Sequence, residues 1–156
     1  MKKIIKILIL ILLIGIGFYA FSQYKNNNKP INVNPIIEVT IDEDGRYTSK
    51  EDVALYIHTY NKLPENYVDK KTAKDMGWVA SKGNLLKVCD DCSIGGDVFT
   101  NREGNLPKKK GRVYYECDID YQGGTRNAKR IVFSNDGLVY YTDDHYNTFE
   151  LLYGEP

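Results

Sequence analysis

The chain has few of the residues that metal and redox chemistry use. It carries two histidines and three cysteines in 156 residues. Cys89 and Cys92 form a C-x-x-C pair, but a zinc site would need further ligands at suitable spacing. His58 and His145 both lie far off in sequence. A thioredoxin-type use of the pair needs a βαβ setting that is absent. The plainest reading is a small-loop disulfide between Cys89 and Cys92, with Cys117 a buried free thiol. The chain also has no excess of either charge, with 21 basic and 21 acidic residues. That balance argues against a broad cationic sheath. There is no internal repeat and no glycine-rich phosphate loop. The one long apolar run covers residues 7–21, short of the roughly 20 residues that a spanning helix prefers.

What precedes and follows that run is a leader pattern. Lys2, Lys3 and Lys6 stand before it, and Ala20 and Ser22 supply small residues after it. This reads as a secretory signal peptide over residues 1–22, with an uncleaved signal anchor as the alternative. No cysteine follows the run, so lipid attachment is not indicated. Cleavage after Ser22 would remove three lysines and no acid, leaving 18 basic and 21 acidic residues, net −3. Export implies an oxidising destination, consistent with a disulfide. Residues 23–46 start Asn- and Pro-rich without a sustained period and read as a linker or propeptide-like segment. Residues 47–156 are then one domain.

Within that domain, Ser49 caps an expected helix in which Val53, Ile57 and Tyr60 fall at i, i+4 and i+7 and Leu63-Pro64 ends the run. Asp69 starts a second short helix that Gly77 stops. Residues 81–111 read as loop. The last third alternates as a β-meander. In "VYYECDIDY", Val113, Tyr115, Cys117, Ile119 and Tyr121 face one way, and Tyr114, Glu116, Asp118 and Asp120 the other. "KRIVFS" is a second strand, "NDG" a turn, and "LVYYT" the return. Helices first and an antiparallel sheet after give an α+β class, with N-terminal helices packed on a twisted sheet.

The polar face of the meander carries the chemistry. Glu116, Arg126, Arg130 and His145 can converge there. A carboxylate, an imidazole and two guanidiniums suit phosphodiester cleavage: one group takes a proton, one gives it, and the arginines neutralise the phosphorane. The same pattern is also that of a solvated cross-strand ion pair. His58, within the first helix, reads as a spectator.

Three longer strings narrow the choice. "YNKLPENYVDKKTAKDMGWVASKGNL", "SIGGDVFTNREGNLP" and "RNAKRIVFSNDGLVYYTDDHYNTF" resemble the barnase/binase group of extracellular bacterial ribonucleases. The resemblance runs without gaps over about residues 51–153. It implies a metal-independent, guanine-preferring endoribonuclease with no cofactor. By position, Glu116 matches the general base and His145 the general acid. Arg126, Arg130 and Lys70 match the residues around the scissile phosphate. The implied product is a 2′,3′-cyclic phosphate, later hydrolysed. Base selection falls to Phe99, Thr100, Asn101, Arg102, Glu103 and Tyr146, with Asn101 and Glu103 also readable as a turn residue and a plain loop acid. Asp97 and Asp118 read as structural acids, Asp118 orienting Arg126 or Arg130. The implied partners are RNA and a barstar-like acidic intracellular inhibitor, acting on a monomer, with a membrane involved only if the leader is uncleaved. Thr100 stands where familiar members have serine, and Asn61 where they have histidine. The cysteines lie outside the family pattern, and familiar members are more basic. The rival expectation is a non-catalytic exported binding module on the same fold.

Overall fold

A computed structural model describes residues 16–19, 21–23 and 40–156. The chain divides into two compact units, Met1–Val39 and Thr40–Pro156. Most of the expected leader and linker lies outside the described residues. In the first unit, residues 16–19 and 21–23 are helical. No helix among the described residues is long and apolar enough to cross a membrane.

The second unit opens with an irregular segment tied to the first helix, α1 (Lys50–Tyr60). Tyr56 Oη donates to the Glu43 carbonyl (2.8 Å) and Tyr60 Oη to the Ile41 carbonyl (2.7 Å). Arg46 pairs with Asp91 through two hydrogen bonds. Residues 41–46, which the sequence reading gives to the linker, are therefore bonded into the compact unit. Ser49 Oγ caps α1 by accepting from the Asp52 N–H. Asn61 ends it in the left-handed region, its N–H returning to the Ile57 carbonyl at 2.8 Å. The apolar stripe is wider than the one read from sequence, since Tyr56 and Ala54 are buried beside Val53 and Ile57.

A two-residue strand, β1 (Tyr67–Val68), leads to α2 (Lys70–Asp75), capped by Asp69 on the Thr72 N–H. Gly77, at φ 99°, follows the end of α2 as expected. A 3₁₀ turn (Ala80–Lys82) and α3 (Leu85–Val88) come next. The remaining strands are β2 (Ser93–Phe99), β3 (Tyr114–Asp118), β4 (Arg130–Ser134), β5 (Val139–Thr142) and β6 (Glu150–Tyr153). They form one six-stranded sheet in chain order. β1 and β2 are parallel and every other pairing is antiparallel.

This is the expected α+β class, with two corrections to the element list. Residues 81–111 are not all loop, because α3 and the longest strand, β2, lie there. The meander also gains β6. β2 hides in the sequence because glycines interrupt its apolar run. Its register shifts between Gly95 and Asp97. A Cβ on Gly95 would sit 2.6 Å from that of Cys117, so only glycine fits the crossing.

Alternation along β3 is as read, but both faces are covered. Cys117 and Ile119 pack with Ile131, Phe133 and Val139 under Val53, Ala54 and Ile57 of α1. Burying a side chain such as Ile131 contributes about 1.5–3 kcal/mol. Tyr114, on the opposite face, joins Leu106, Val132, Leu138 and Tyr140 in a smaller core. A third cluster packs Trp78, Leu85, Cys92 and Ile94 beneath α2 and α3. Cys89 and Cys92 form a disulfide, and Cys117 is a buried free thiol.

Candidate active site

Glu116 sits near the middle of β3 and is only 8% exposed. Its strand partner across β2 is Asp97, and facing carboxylates repel. Lys70, the first residue of α2, lies between them. Its Nζ donates to Glu116 Oε1 at 2.5 Å and lies 3.7 Å from Asp97 Oδ2, while its backbone N–H donates to Asp97. The other Glu116 oxygen, Oε2, accepts from Tyr146 Oη at 2.5 Å. Burial pushes the Glu116 pKa up. The bonds from Lys70 and Tyr146, with the charges of Lys70 and Arg126, outweigh burial and hold it below the ordinary carboxylate value. A buried carboxylate is thus kept ionised. The Tyr146 phenol moves the opposite way, pushed up by burial and by its bond to Glu116.

Asp118, two residues along the same face, organises the arginines. Arg126 donates to it through Nε (2.6 Å) and Nη2 (2.5 Å), a two-pronged contact. Arg130 Nε lies 3.0 Å from the same carboxylate, within ion-pair range, yet its N–H has no hydrogen-bond acceptor in line. Arg130 is 2% exposed, and its Nη1 donates to the Lys129 carbonyl at 2.6 Å. Arg126, Arg130 and His145 line one cleft of about 340 Å³, with Asn127 and Ala128.

His145 lies beyond the return strand, since β5 stops at Thr142. It is exposed on the following loop, at φ 59°, and Tyr146 beside it is at φ 74°. Two successive non-glycine residues in the left-handed region need outside support. Asp144 gives it. Its Oδ1 accepts from Thr142 Oγ1 and from the N–H groups of Asn147 and Thr148, and Oδ2 accepts from Thr148 Oγ1. These bonds hold the Asp144 carboxyl at about 2. Thr142 Oγ1 in turn accepts from the Tyr146 N–H. Sequence reasoning passed over Asp144; the Thr-x-Asp-x-x-x-Thr spacing was the available signal.

The base-selection candidates separate into groups. Phe99 packs at a tilt against Tyr146 with ring centroids 5.1 Å apart, and meets Phe149 edge-on at 6.2 Å. Asn101 is buried at φ 45° and clamps Leu106 with a bond in each direction, which gives it a structural task. Thr100, Arg102 and Glu103 are exposed on the loop. Thr100 and Arg102 line a second groove rather than the His145 cleft. Glu103 makes no ion pair among the described residues. His58 stacks on Tyr153, away from this site.

An α+β scaffold presenting an ionised buried carboxylate beside two arginines, a lysine and an exposed imidazole belongs among acid–base enzymes acting on anionic substrates. Comparison with known proteins makes that specific. The ribonuclease family profile matches residues 50–153, and the chain belongs to that family. A ribonuclease of Heyndrickxia coagulans is 57% identical over 97 residues, covering 62% of this chain and 89% of that protein. A ribonuclease of Bacillus pumilus has the same identity over 97 residues, spanning 60% of its own length. Guanyl-specific ribonuclease Sa of Kitasatospora aureofaciens is 40% identical over 62 residues, covering 38% of this chain and 65% of that one.

Proposed function

We propose that this ribonuclease cleaves single-stranded RNA on the 3′ side of guanine, without a metal ion, by transesterification to a 2′,3′-cyclic phosphate that is then hydrolysed. The observation that carries the reading is the Glu116 carboxylate, kept ionised between Lys70 and Tyr146 and flanked by the arginine cleft that His145 lines. Glu116 takes the proton from the ribose 2′-hydroxyl, and that oxygen attacks the adjacent phosphorus. His145 delivers a proton to the departing 5′-oxygen. In hydrolysis the two exchange roles: His145 takes a proton from a water standing where the 5′-oxygen left, that water attacks phosphorus, and Glu116 returns a proton to the departing 2′-oxygen. Lys70, Arg126 and Arg130 neutralise the charge that builds on the phosphoryl oxygens. Asp118 holds both guanidiniums at the cleft where the phosphate would sit. The nucleophile is the substrate's own 2′-hydroxyl, so the sequence as drawn requires RNA and no metal-bound water.

Guanine preference rests on the loop at residues 99–103 and on the guanyl-specific relative. Backbone N–H groups of residues 100–102 would donate to guanine O6. Glu103, without an ion pair among the described residues, would accept from guanine N1 and N2, over the Phe99 and Tyr146 rings. Adenine would leave those groups unpaired. The leader over residues 1–22 fits export, either freed or anchored. A small acidic inhibitor resembling barstar would find its complement in the same cationic cleft.

The test is cleavage of GpU and ApU in excess EDTA with detection of the cyclic phosphate. GpU turnover should persist and exceed that of ApU. Glu116→Gln should lower the first step by at least about 100-fold, in the usual range for general acid–base catalysis. Unchanged turnover in that variant removes Glu116 as the base.

A further inference from the structure

A groove of about 510 Å³ lies within the long β2–β3 connection. It shares residues 99–102 with the proposed guanine-selecting loop, but most of its wall is elsewhere. Val98, Pro107, Lys108, Lys109 and Val113 line it with Arg102. Residues 98–114 contain five basic side chains and a single acid, Glu103, in a chain whose net charge is zero. Asp136 neutralises part of this: it binds Arg112 at 2.9 Å and Lys109 at 3.3 Å. Arg102 and Lys108 have no ion-pair partner among the described residues, and both are exposed. The apolar part is also open to solvent, with Val98 60% and Val113 37% exposed.

The walls are already fixed. Asn101 clamps Leu106 on one limb. On the other, Arg112 is bonded to Asp136 and to the Pro107 carbonyl, and Asn135 bonds Val113 and Gly111. A bound chain would not have to order this loop. Strand alternation places Val98, opposite Tyr115 in the register, on the face of the sheet away from Glu116. The groove shares none of its lining with the His145 cleft and meets the selection loop at residues 99–102.

We infer that this groove is an exosite for the same RNA strand, holding a nucleotide beyond the one selected. A phosphate would lie against Lys108 and Arg102, and a base or ribose against Val98 and Val113. The inference rests on the ribonuclease reading above. A cationic groove with rings on which bases stack is the usual way of holding single strands without reading their sequence, and here two valines supply the exposed apolar contact beside Arg102 and Lys108. A dinucleotide is too short to span both places, so the groove acts only on longer substrates.

The experiment compares kcat/KM for GpU with that for a decanucleotide containing one central guanosine, in the whole protein and in Lys108→Glu and Val98→Thr. Wild-type protein should prefer the decanucleotide. Lys108→Glu should lower its cleavage about five-fold or more and leave GpU unchanged, which also shows that the variant is folded. Removing one phosphate contact should reduce the steepness of log(kcat/KM) against log[salt] by about 0.7 for the longer substrate. Equal losses on both substrates, or no loss on the decanucleotide in either variant, overturn the exosite. Failure of wild-type protein to favour GpU over ApU instead overturns the guanine assignment and leaves the length comparison standing.

Discussion

Tyr146 ties its phenol to the carboxylate that is to act as base, and this has a pH consequence. The bond is one of the influences lowering the Glu116 pKa. Tyr146→Phe removes it, so the pKa rises and the base is protonated at a higher pH. The acid limb of the kcat/KM profile on GpU should move upward, while a variant with an unshifted limb would show that the bond does not reach the ionisation. Asp144 acts at one remove. Its side-chain bonds go to Thr142, Asn147 and Thr148 and not to Glu116 or His145, yet they hold the backbone that presents His145 and Tyr146. Small misplacements of such groups can cost about 100-fold in rate. Asp144→Ala should lower kcat by one to two orders of magnitude, on the same reasoning, with less effect on KM. Asp144→Asn, which retains an oxygen for the three Oδ1 contacts, should recover much of the loss. Both variants can be read by GpU kinetics beside near-ultraviolet circular dichroism.

At the level of elements, the two helix starts were legible because their caps are local chemistry: Ser49 and Asp69 each bond an N–H three residues on. The meander was legible from its period of two. β2 was not, since what makes it a strand is the company of β1 and β3, and Gly95 is there to let Cys117 approach. β6 is short and largely exposed, so it gives little apolar signal. Glu116 and Arg130 were visible as polar residues on one face of the meander, and Lys70 only through the family resemblance. Their ordering by Asp118, Asp144 and the Lys70 bridge depends on loops that only the folded chain brings together. The disulfide is the one covalent cross-link among the described residues. It closes a ring of about four residues, for which loop-closure entropy contributes about 2 kcal/mol. The Cys89→Ser/Cys92→Ser double variant should lose about that much in urea unfolding, plus a cost for the polar oxygen at buried Cys92, and keep its GpU turnover. A large loss of turnover would mean that the C-x-x-C loop supports the cleft.

For the molecule as a whole, the sheet runs in chain order, so each strand hydrogen-bonds to the one made just before it. The packing of α1 on β4, β5 and β6 joins the two ends of the second unit, and Arg46–Asp91 and Lys70–Glu116 tie segments at intermediate separation. Mixed domains of such topology fold on the order of milliseconds to a second. The single tryptophan, Trp78, is buried beneath α2 and α3. Its fluorescence in stopped-flow dilution from urea, with the disulfide intact, should report a main phase in that range. A dominant phase of minutes would place the rate-limiting event elsewhere than in strand pairing.

That ordering also bears on timing within the producing cell. His145 and Tyr146 precede only β6 in the chain, so the cleft can be completed no earlier than the final stretch of synthesis.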